Sequence, residues 1–307
     1  MSDVSVVIPC YNGARFISRT IESVLDQTDR PRELWVIDDG STDDSAAIIE
    51  TYCRKAGDIV RLIRQENAGE SRARNVGIGE AGQPFVAFLD ADDIWLPDKT
   101  ERQIELMTER PEAIGTHTRV FNFEQEPDDR DREETERSKD DPSVEDLIDY
   151  HWICPSTLVV RRQALADIRF EEAIRHSEDM LFLADLRLAG PLRLVDEPLV
   201  AKRTHPGQQS GEPWHRLYSL ESRVEWCRTR AEKLGRDRAD AMLDELGRRM
   251  VALLEDRYWR RQFDGFQEAR RRVSEAFPDL LAASPVADRR IWPGWVYRLR
   301  DGLSSSR

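Results

Sequence analysis

The chain has 307 residues, of which 39% are hydrophobic and 34% charged, and its formal net charge is −13. This length is enough for about two domains with a full-sized core. The negative charge argues against nucleic acid as a partner, because phosphate backbones are bound by clustered lysine and arginine. No apolar run approaches the roughly 18 residues of a membrane span and no secretory leader opens the sequence, so a cytoplasmic protein is expected. The four cysteines lack CxxC spacing, which indicates free thiols rather than disulfides or a zinc site.

Short apolar runs alternate with amphipathic segments in the first part of the chain. Strands are predicted over 4–9, 34–38, 59–63 and 85–90, and helices over 15–27 and after Thr42. This alternation predicts an α/β fold with a doubly wound, mostly parallel sheet.

Further helices and strands are predicted after residue 96. A helix is predicted to about 108, strands over 113–123 and 155–162, a helix over 179–188, and an extended stretch over 192–202 that Pro198 breaks. From Trp214 onward the pattern is helical, with Leu243, Leu246, Met250, Leu253 and Tyr258 forming one apolar face. We therefore place a domain boundary near 212.

Residues 124–141 carry ten acidic and four basic side chains and no aliphatic ones. Such a segment has nothing to bury in a core. It is predicted to be a mobile acidic loop.

Acidic side chains follow two of the predicted strands. Asp38 and Asp39 end the second strand, and Asp90, Asp92 and Asp93 end the fourth. Parallel strands finish on the same side of the sheet, where open α/β folds bind their ligands, so these five carboxylates are expected to be neighbours. They repel each other unless a cation or a hydrogen-bonding ligand joins them. Two carboxylates one residue apart can hold a hard divalent ion together with phosphate oxygens.

Cationic and glycine-rich residues lie between these strands. Arg72 and Arg74 are placed at the start of a helix, whose free N–H groups favour an anion. The run from Gly77 to Gly82 matches the dinucleotide fingerprint G-x-G-x-x-G. We reject that reading, because the fingerprint follows a strand and opens a helix, whereas here a helix precedes it and a strand follows.

Four segments in this order, VSVVIPCYNGARFI, DDGSTDDS, NAGESRARNVG and FLDADDIWLPDK, resemble the nucleotide-binding half of family 2 glycosyltransferases. The resemblance covers about residues 3–210 and implies a GT-A fold. It implies a catalytic domain over 1–212, with a Rossmann-like nucleotide-sugar half over 1–95 and an acceptor half over 96–212, followed by a helical extension over 213–307.

The resemblance also implies roles for single residues. Pro9 and Tyr11 would border the nucleotide base and Asp39 would hydrogen-bond it, with Arg72 near the base or phosphates. Asp90 would contact the ribose side of the donor. Asp92 would hold Mn²⁺ or Mg²⁺ against the diphosphate.

The second half supplies the remaining groups by the same resemblance. The sequence Glu178-Asp179 is similar to the family's Glu-Asp motif, in which the Asp is the general base of inverting enzymes, and Glu178 is the alternative base. His205 would complete the metal site. Trp152 and Ser156 would line the acceptor side.

The function implied is an inverting transfer of a sugar from a nucleoside diphosphate, UDP foremost, to a hydroxyl of a saccharide or lipid-linked acceptor, in cell-surface polysaccharide or glycolipid synthesis. One alternative is a sugar-phosphate nucleotidyltransferase, although its glycine-rich basic loop is absent after the first strand. The other is a catalytically silent binding or scaffold protein of the same fold.

The C-terminal segment 285–307 interleaves aromatic residues with five arginines and has a net charge of +3. Amphipathic basic segments can lie on anionic membrane surfaces, so a peripheral membrane contact is one hypothesis. Packing on the catalytic domain and a homodimer contact are the alternatives.

Overall fold

The computed structural model describes residues 1–124, 127, 138–149, 153–174, 176–205 and 214–289. The chain divides into two compact units, Met1–Ser210 and Gly211–Arg307. The acidic segment 124–141 and the segment 285–307 lie largely outside the described residues, and Trp152 lies outside them altogether.

The first unit is built on one eight-stranded sheet. Its strands are β1 (Ser2–Cys10), β2 (Pro31–Asp38), β3 (Val60–Arg64), β4 (Phe85–Phe88), β5 (Ile94–Trp95), β6 (Gly115–Phe123), β7 (Val159–Arg161) and β8 (Leu192–Arg203). Their order across the sheet is β3-β2-β1-β4-β7-β6-β8-β5. Strands β3, β2, β1 and β4 run parallel, and β6 runs parallel to β8. Strands β7 and β5 are antiparallel to their neighbours, which confirms an α/β fold with a mixed, mostly parallel sheet.

Helices connect the strands of this unit. They are α1 (Ile17–Leu25), α2 (Ser45–Lys55), α3 (Glu70–Glu80), α4 (Lys99–Glu109), α5 (Val144–Asp149) and α6 (Glu178–Ala189). The central strand β1 is apolar on both faces because helices cover both: Val6 packs in the same cluster as Ile17 and Ile21 of α1, whereas Val7 packs with Ile78 of α3.

Two predicted elements differ from the observed ones. The predicted strand 155–162 begins with a 3₁₀ turn, Pro155–Thr157, and only Val159–Arg161 pairs as β7. The stretch 192–202 is one strand, because Pro198 lies where the register with β6 shifts and no ladder hydrogen bond is required of its nitrogen.

The second unit is helical in its described part. Its helices are α7 (His215–Thr229), α8 (Ala231–Leu234), α9 (Arg236–Trp259), α10 (Phe266–Ala276) and α11 (Pro278–Ala282). Leu246, Met250 and Leu254 lie on the buried face of α9. Among the described helices, none combines the length and the apolar character that crossing a bilayer requires.

The glycines of the rejected dinucleotide pattern lie inside and just after α3, ahead of β4. Gly77 faces β1: a Cβ at this position would be 2.3 Å from Cγ1 of Val7. Gly77 is therefore required for close packing of helix on strand, and not for binding a pyrophosphate.

This packing can be tested by comparing two glycines of α3. Gly77→Ala should lower stability by about 1–3 kcal/mol, because the added methyl group forces the helix away from β1. Gly79 is exposed and a Cβ there would meet nothing within 4 Å, so Gly79→Ala should be neutral or stabilising by about 0.5–1 kcal/mol. Thermal and urea unfolding measure both, and equal effects of the two substitutions would contradict this account.

Candidate functional site

A cavity of about 560 Å³ opens where the parallel strands end. Its size is that of a small-ligand site. It is lined by Pro9, Cys10, Tyr11, Asn12, Gly13, Phe16, Asp39, Asn67, Gly69, Glu70, Ala73, Asp90, Ala91, Asp92, Asp93, Lys202 and His205. The structure thus brings together six residues predicted from the sequence: Pro9, Tyr11, Asp39, Asp90, Asp92 and His205.

Asp92 and His205 face each other in this cavity. Oδ2 of Asp92 lies 3.1 Å from Nε2 of His205, and about a quarter of each side chain is exposed. Burial and the neighbouring Asp90 raise the pKa of Asp92, and the hydrogen bond from His205 partly offsets this.

The adjacent carboxylate, Asp93, is buried and structural. Ser156 Oγ donates to Asp93 Oδ2 at 2.6 Å, and the backbone N–H of Arg203 donates to Oδ1 at 3.0 Å. Burial raises the pKa of Asp93 well above its ordinary value, and Asp90 and Asp92 add to the effect. Asp93 thus fastens the turn after β4 to two other segments.

Ser156 does not line the acceptor side, contrary to the prediction. Its side chain is fully buried, and its Oγ also accepts a hydrogen bond from the backbone N–H of Asp90 at 3.1 Å. Because the 3₁₀ turn directs this hydroxyl inward, Ser156 orients the acidic turn.

Arg203, at the end of β8, carries His205 to the cavity. Its Nε donates to the backbone oxygen of Asp92 at 3.1 Å, and its guanidinium lies between the rings of Phe16 and Phe123, 4.6 and 4.4 Å from their centroids. These contacts hold the two residues after β8 opposite the acidic turn.

Asp39 is engaged by the loop that leads into α3. Its Oδ1 accepts from Gln65 Nε2 and from the N–H of Ala68, and its Oδ2 accepts from the N–H of Gly69, at 2.7–2.9 Å. A carboxylate has about four acceptor positions, so Asp39 retains capacity for a ligand at the cavity wall.

The loop after β1 is tied to the loop after β2. Asn12 Oδ1 accepts from the N–H of Thr42, and the N–H of Asn12 donates to Ser41 Oγ. Tyr11, 54% exposed, is thereby presented at the cavity mouth.

Arg72 does not line the cavity, contrary to the prediction that it lies near the base or phosphates. It is exposed and pairs with Glu172 at 3.2 Å. Two positions along the same helix, Arg74 is buried and its Nη2 donates to Glu70 Oε1 at 2.5 Å and to Asp90 Oδ1 at 2.8 Å. The periodicity of α3 therefore directs Arg74, and not Arg72, to the acidic turn.

Glu178 and Asp179 begin α6 and are not part of the cavity wall. Asp179 Oδ1 accepts from the N–H of Met180 at 2.7 Å. Burial, Asp179 and Glu70 raise the pKa of Glu178 to about 7, although Arg74 opposes the shift. This interaction indicates that the start of α6 lies near Glu70 and Arg74.

Asp92 and His205 are the residues that could hold a divalent cation. In the described part of the chain, no three His, Cys, Asp or Glu side chains form a metal-binding group by themselves. The 3.1 Å between Oδ2 of Asp92 and Nε2 of His205 is a hydrogen-bond distance, and a carboxylate and an imidazole placed side by side are both groups that bind divalent ions.

Sequence reasoning missed Glu70, Lys202, Arg203 and Phe16 as parts of the site. The signal for Arg203 and Lys202 was their position just before His205. Glu70 gave no signal by itself, because its place depends on Arg74 four residues later.

Comparison with known proteins assigns the chain to a family. Residues 5–169 match the family described as glycosyl transferase family 2. The chain belongs to this family. This confirms the resemblance drawn from the four sequence segments, and the matched residues lie within the first unit.

Curated relatives are similar in sequence to part of this chain. A putative teichuronic acid biosynthesis glycosyltransferase of Bacillus subtilis, TuaG, is 42% identical over 112 residues, covering 36% of this chain and 44% of TuaG. In TuaG and in four other curated relatives, the match spans less than half of the relative's length.

Solved structures share the fold. The S. aureus TarS 1–349 structure with UDP-GlcNAc matches with a TM-score of 0.64 and 21% identity, covering 92% of this chain and 81% of that chain. The mannosyltransferase PcManGT from Pyrobaculum calidifontis, in complex with GDP-Man and Mn²⁺, matches with a TM-score of 0.55 and 15% identity, covering 99% and 81%. These likenesses confirm the GT-A fold.

The role of Ser156 can be tested by stability. Ser156→Ala should cost about 1–3 kcal/mol, because it removes the donor to buried Asp93 and the acceptor for the N–H of Asp90. Ser222→Ala is the control, since that hydroxyl donates only to Tyr218 O one turn back, and its effect should stay within about 0.5 kcal/mol. Unfolding in urea measures both, and a neutral Ser156→Ala would mean that this link is dispensable.

Proposed function

We propose that the chain is an inverting glycosyltransferase that transfers a sugar from a nucleoside diphosphate, with UDP as the nucleotide, to an acceptor hydroxyl. The observation that carries the proposal is the facing pair of Asp92 and His205 in a cavity at the strand ends of a family 2 domain. UDP is supported by the TarS complex with UDP-GlcNAc, and a divalent ion by the PcManGT complex with Mn²⁺.

The donor is assigned to the cavity in a fixed direction. Tyr11 and Pro9 are proposed to border the base, with Asp39 offering its remaining acceptor capacity. Asp90, fixed by Arg74, is assigned to the ribose side. The diphosphate then lies beside Asp92 and His205.

Asp92 and His205 would hold Mn²⁺ or Mg²⁺. Such an ion supplies charge stabilisation for the departing diphosphate. Asp93 and Arg203 hold Asp92 and His205 in position. Asp93 does so through the turn after β4, and Arg203 does so through the end of β8.

Asp179 is proposed as the general base, with Glu178 as the alternative. The acceptor oxygen forms a bond to the anomeric carbon while the bond from that carbon to the diphosphate oxygen breaks. The proton of the acceptor hydroxyl passes to the Asp179 carboxylate. A single displacement from the opposite face inverts the anomeric centre.

The acceptor is proposed to be a saccharide or lipid-linked saccharide of cell-surface polysaccharide. Support comes from the relative TuaG, named for teichuronic acid biosynthesis. A chain that binds the donor yet neither transfers nor hydrolyses the sugar would be a silent binding protein instead.

The first functional prediction concerns Asp92. Asp92→Asn should weaken UDP binding about tenfold or more with Mn²⁺ present and leave metal-free binding nearly unchanged, because only the metal-linked contact is lost. Asp98→Asn, a nearby carboxylate outside the cavity wall, is the control. Isothermal titration with and without Mn²⁺ measures this, and an equal loss in both conditions would make Asp92 structural.

The second concerns Asp179. Asp179→Asn preserves shape and hydrogen-bonding ability at the helix start but removes the basic oxygen, so transfer should fall by about 10²- to 10⁴-fold. Affinity for the UDP-sugar and the melting temperature should stay close to those of the unmodified chain. Asp185→Asn on the same helix is the control and should retain activity. Near-full transfer by Asp179→Asn would move the base to Glu178.

A further inference from the structure

Glu70 is a carboxylate of the cavity wall to which nothing above assigns a role in binding. It begins α3, lines the cavity, and keeps 40% of its side chain exposed. Its Oε1 accepts from Arg74, and the other oxygen remains available to a ligand.

The location of Glu70 relates it to both ends of the proposed reaction. Arg74 has the largest single effect and lowers the pKa of Glu70, but burial, Asp90, Asp179 and Asp92 together raise it to about 7. Glu70 also lines the same cavity as Asp92, and Arg74 joins it to Asp90. In a displacement, the sugar lies between the diphosphate beside Asp92 and the acceptor oxygen beside Asp179.

Arg74 makes Glu70 a fixed group. The guanidinium is 2% exposed, stacks over the ring of Phe170 at 5.1 Å, and bridges Glu70 to Asp90. A carboxylate fixed in this way can accept hydrogen bonds from sugar hydroxyls with little further ordering.

The wall of the cavity is strongly acidic. Its carboxylates are Asp39, Glu70, Asp90, Asp92 and Asp93, and its side chains of basic type are Lys202 and His205. A carboxylate on the sugar would lie next to Glu70, and the guanidinium of Arg74 beside it is already shared between Glu70 and Asp90. Like charges at about 4 Å repel by roughly 1–4 kcal/mol in surroundings between water and a protein surface.

We infer that Glu70 is a specificity-determining residue that selects a donor with a neutral sugar by accepting hydrogen bonds from its hydroxyls, and disfavours a uronic acid. This inference rests on the proposed function and deepens it. It names the substrate class as a nucleoside diphosphate joined to an uncharged hexose or N-acetylhexosamine.

The test uses UDP, UDP-glucose and UDP-glucuronate, of which the last two differ only in a hydroxymethyl group and a carboxylate. Titrations with Mn²⁺ at about pH 8, where a carboxyl of ordinary or moderately raised pKa is ionised, give three affinities for each protein. The unmodified chain should bind UDP-glucose about tenfold or more tighter than UDP-glucuronate.

Two substitutions separate hydrogen bonding from charge. Glu70→Gln should weaken UDP-glucose about tenfold, leave UDP within about twofold, and reduce the preference over UDP-glucuronate. Glu70→Asp keeps the charge but shortens the side chain, so it should weaken UDP-glucose while the discrimination against UDP-glucuronate remains. Glu80→Gln, exposed at the other end of α3, is the matched control.

The possible outcomes separate a failure of the Glu70 inference from a failure of the proposed glycosyltransferase function. A chain that fails to bind UDP or any of the UDP-sugars overturns the donor assignment, and the sugar inference with it. Normal binding of UDP with no change in UDP-glucose affinity in both Glu70 variants overturns the sugar inference alone. A parallel loss of UDP and UDP-glucose in the variants would make Glu70 a structural partner of Arg74.

Discussion

The site depends on the hydrogen bonds that the buried carboxylate of Asp93 accepts. It accepts from Ser156 on the 3₁₀ turn and from the backbone of Arg203 at the end of β8, while its own backbone oxygen accepts from Thr20 of α1. A buried carboxyl left without these partners would be costly, so all three segments are held at the acidic turn. Asp92 and His205, more than a hundred residues apart in sequence, meet because each lies within two residues of this junction.

A second buried charge has the same effect on the other side of the cavity. Arg74 joins the start of α3 to Asp90, and its ring partner Phe170 comes from the loop before α6. The guanidinium compensates part of the negative charge that surrounds it. It lowers the pKa of Glu70 and of Glu178 and so opposes the upward shift of both. The excess of carboxylates that remains suits a site completed by a cation with a diphosphate, as we propose, because repulsion among them is relieved only when positive charge enters.

The mixed topology of the sheet explains how its strands bring residues to the cavity. The parallel strands β1, β2 and β4 finish together and deliver Pro9, Asp39 and Asp90 to one edge. The strand β8 reaches the same edge from the far side of the sheet and is anchored by β5, which follows the acidic turn directly. Strand β8 therefore ends beside the acidic turn after β4, which brings residues that are far apart in sequence into one cavity.

The sequence by itself determined the fold class, the family and six residues of the cavity wall. Strand-ending carboxylates and their order are local features, and parallel pairing turns them into neighbours by a general rule, so Asp39, Asp90 and Asp92 could be predicted. The sequence could not predict which of the two arginines contacts the acidic turn. Arg72 and Arg74 differ only in the face of α3 that they occupy once Gly77 packs on Val7. The family resemblance implied that Ser156 lines the acceptor side, but the 3₁₀ turn at Pro155 directs its hydroxyl inward to Asp93. Such directions are set by packing between segments remote in sequence, and only the tertiary structure decides them.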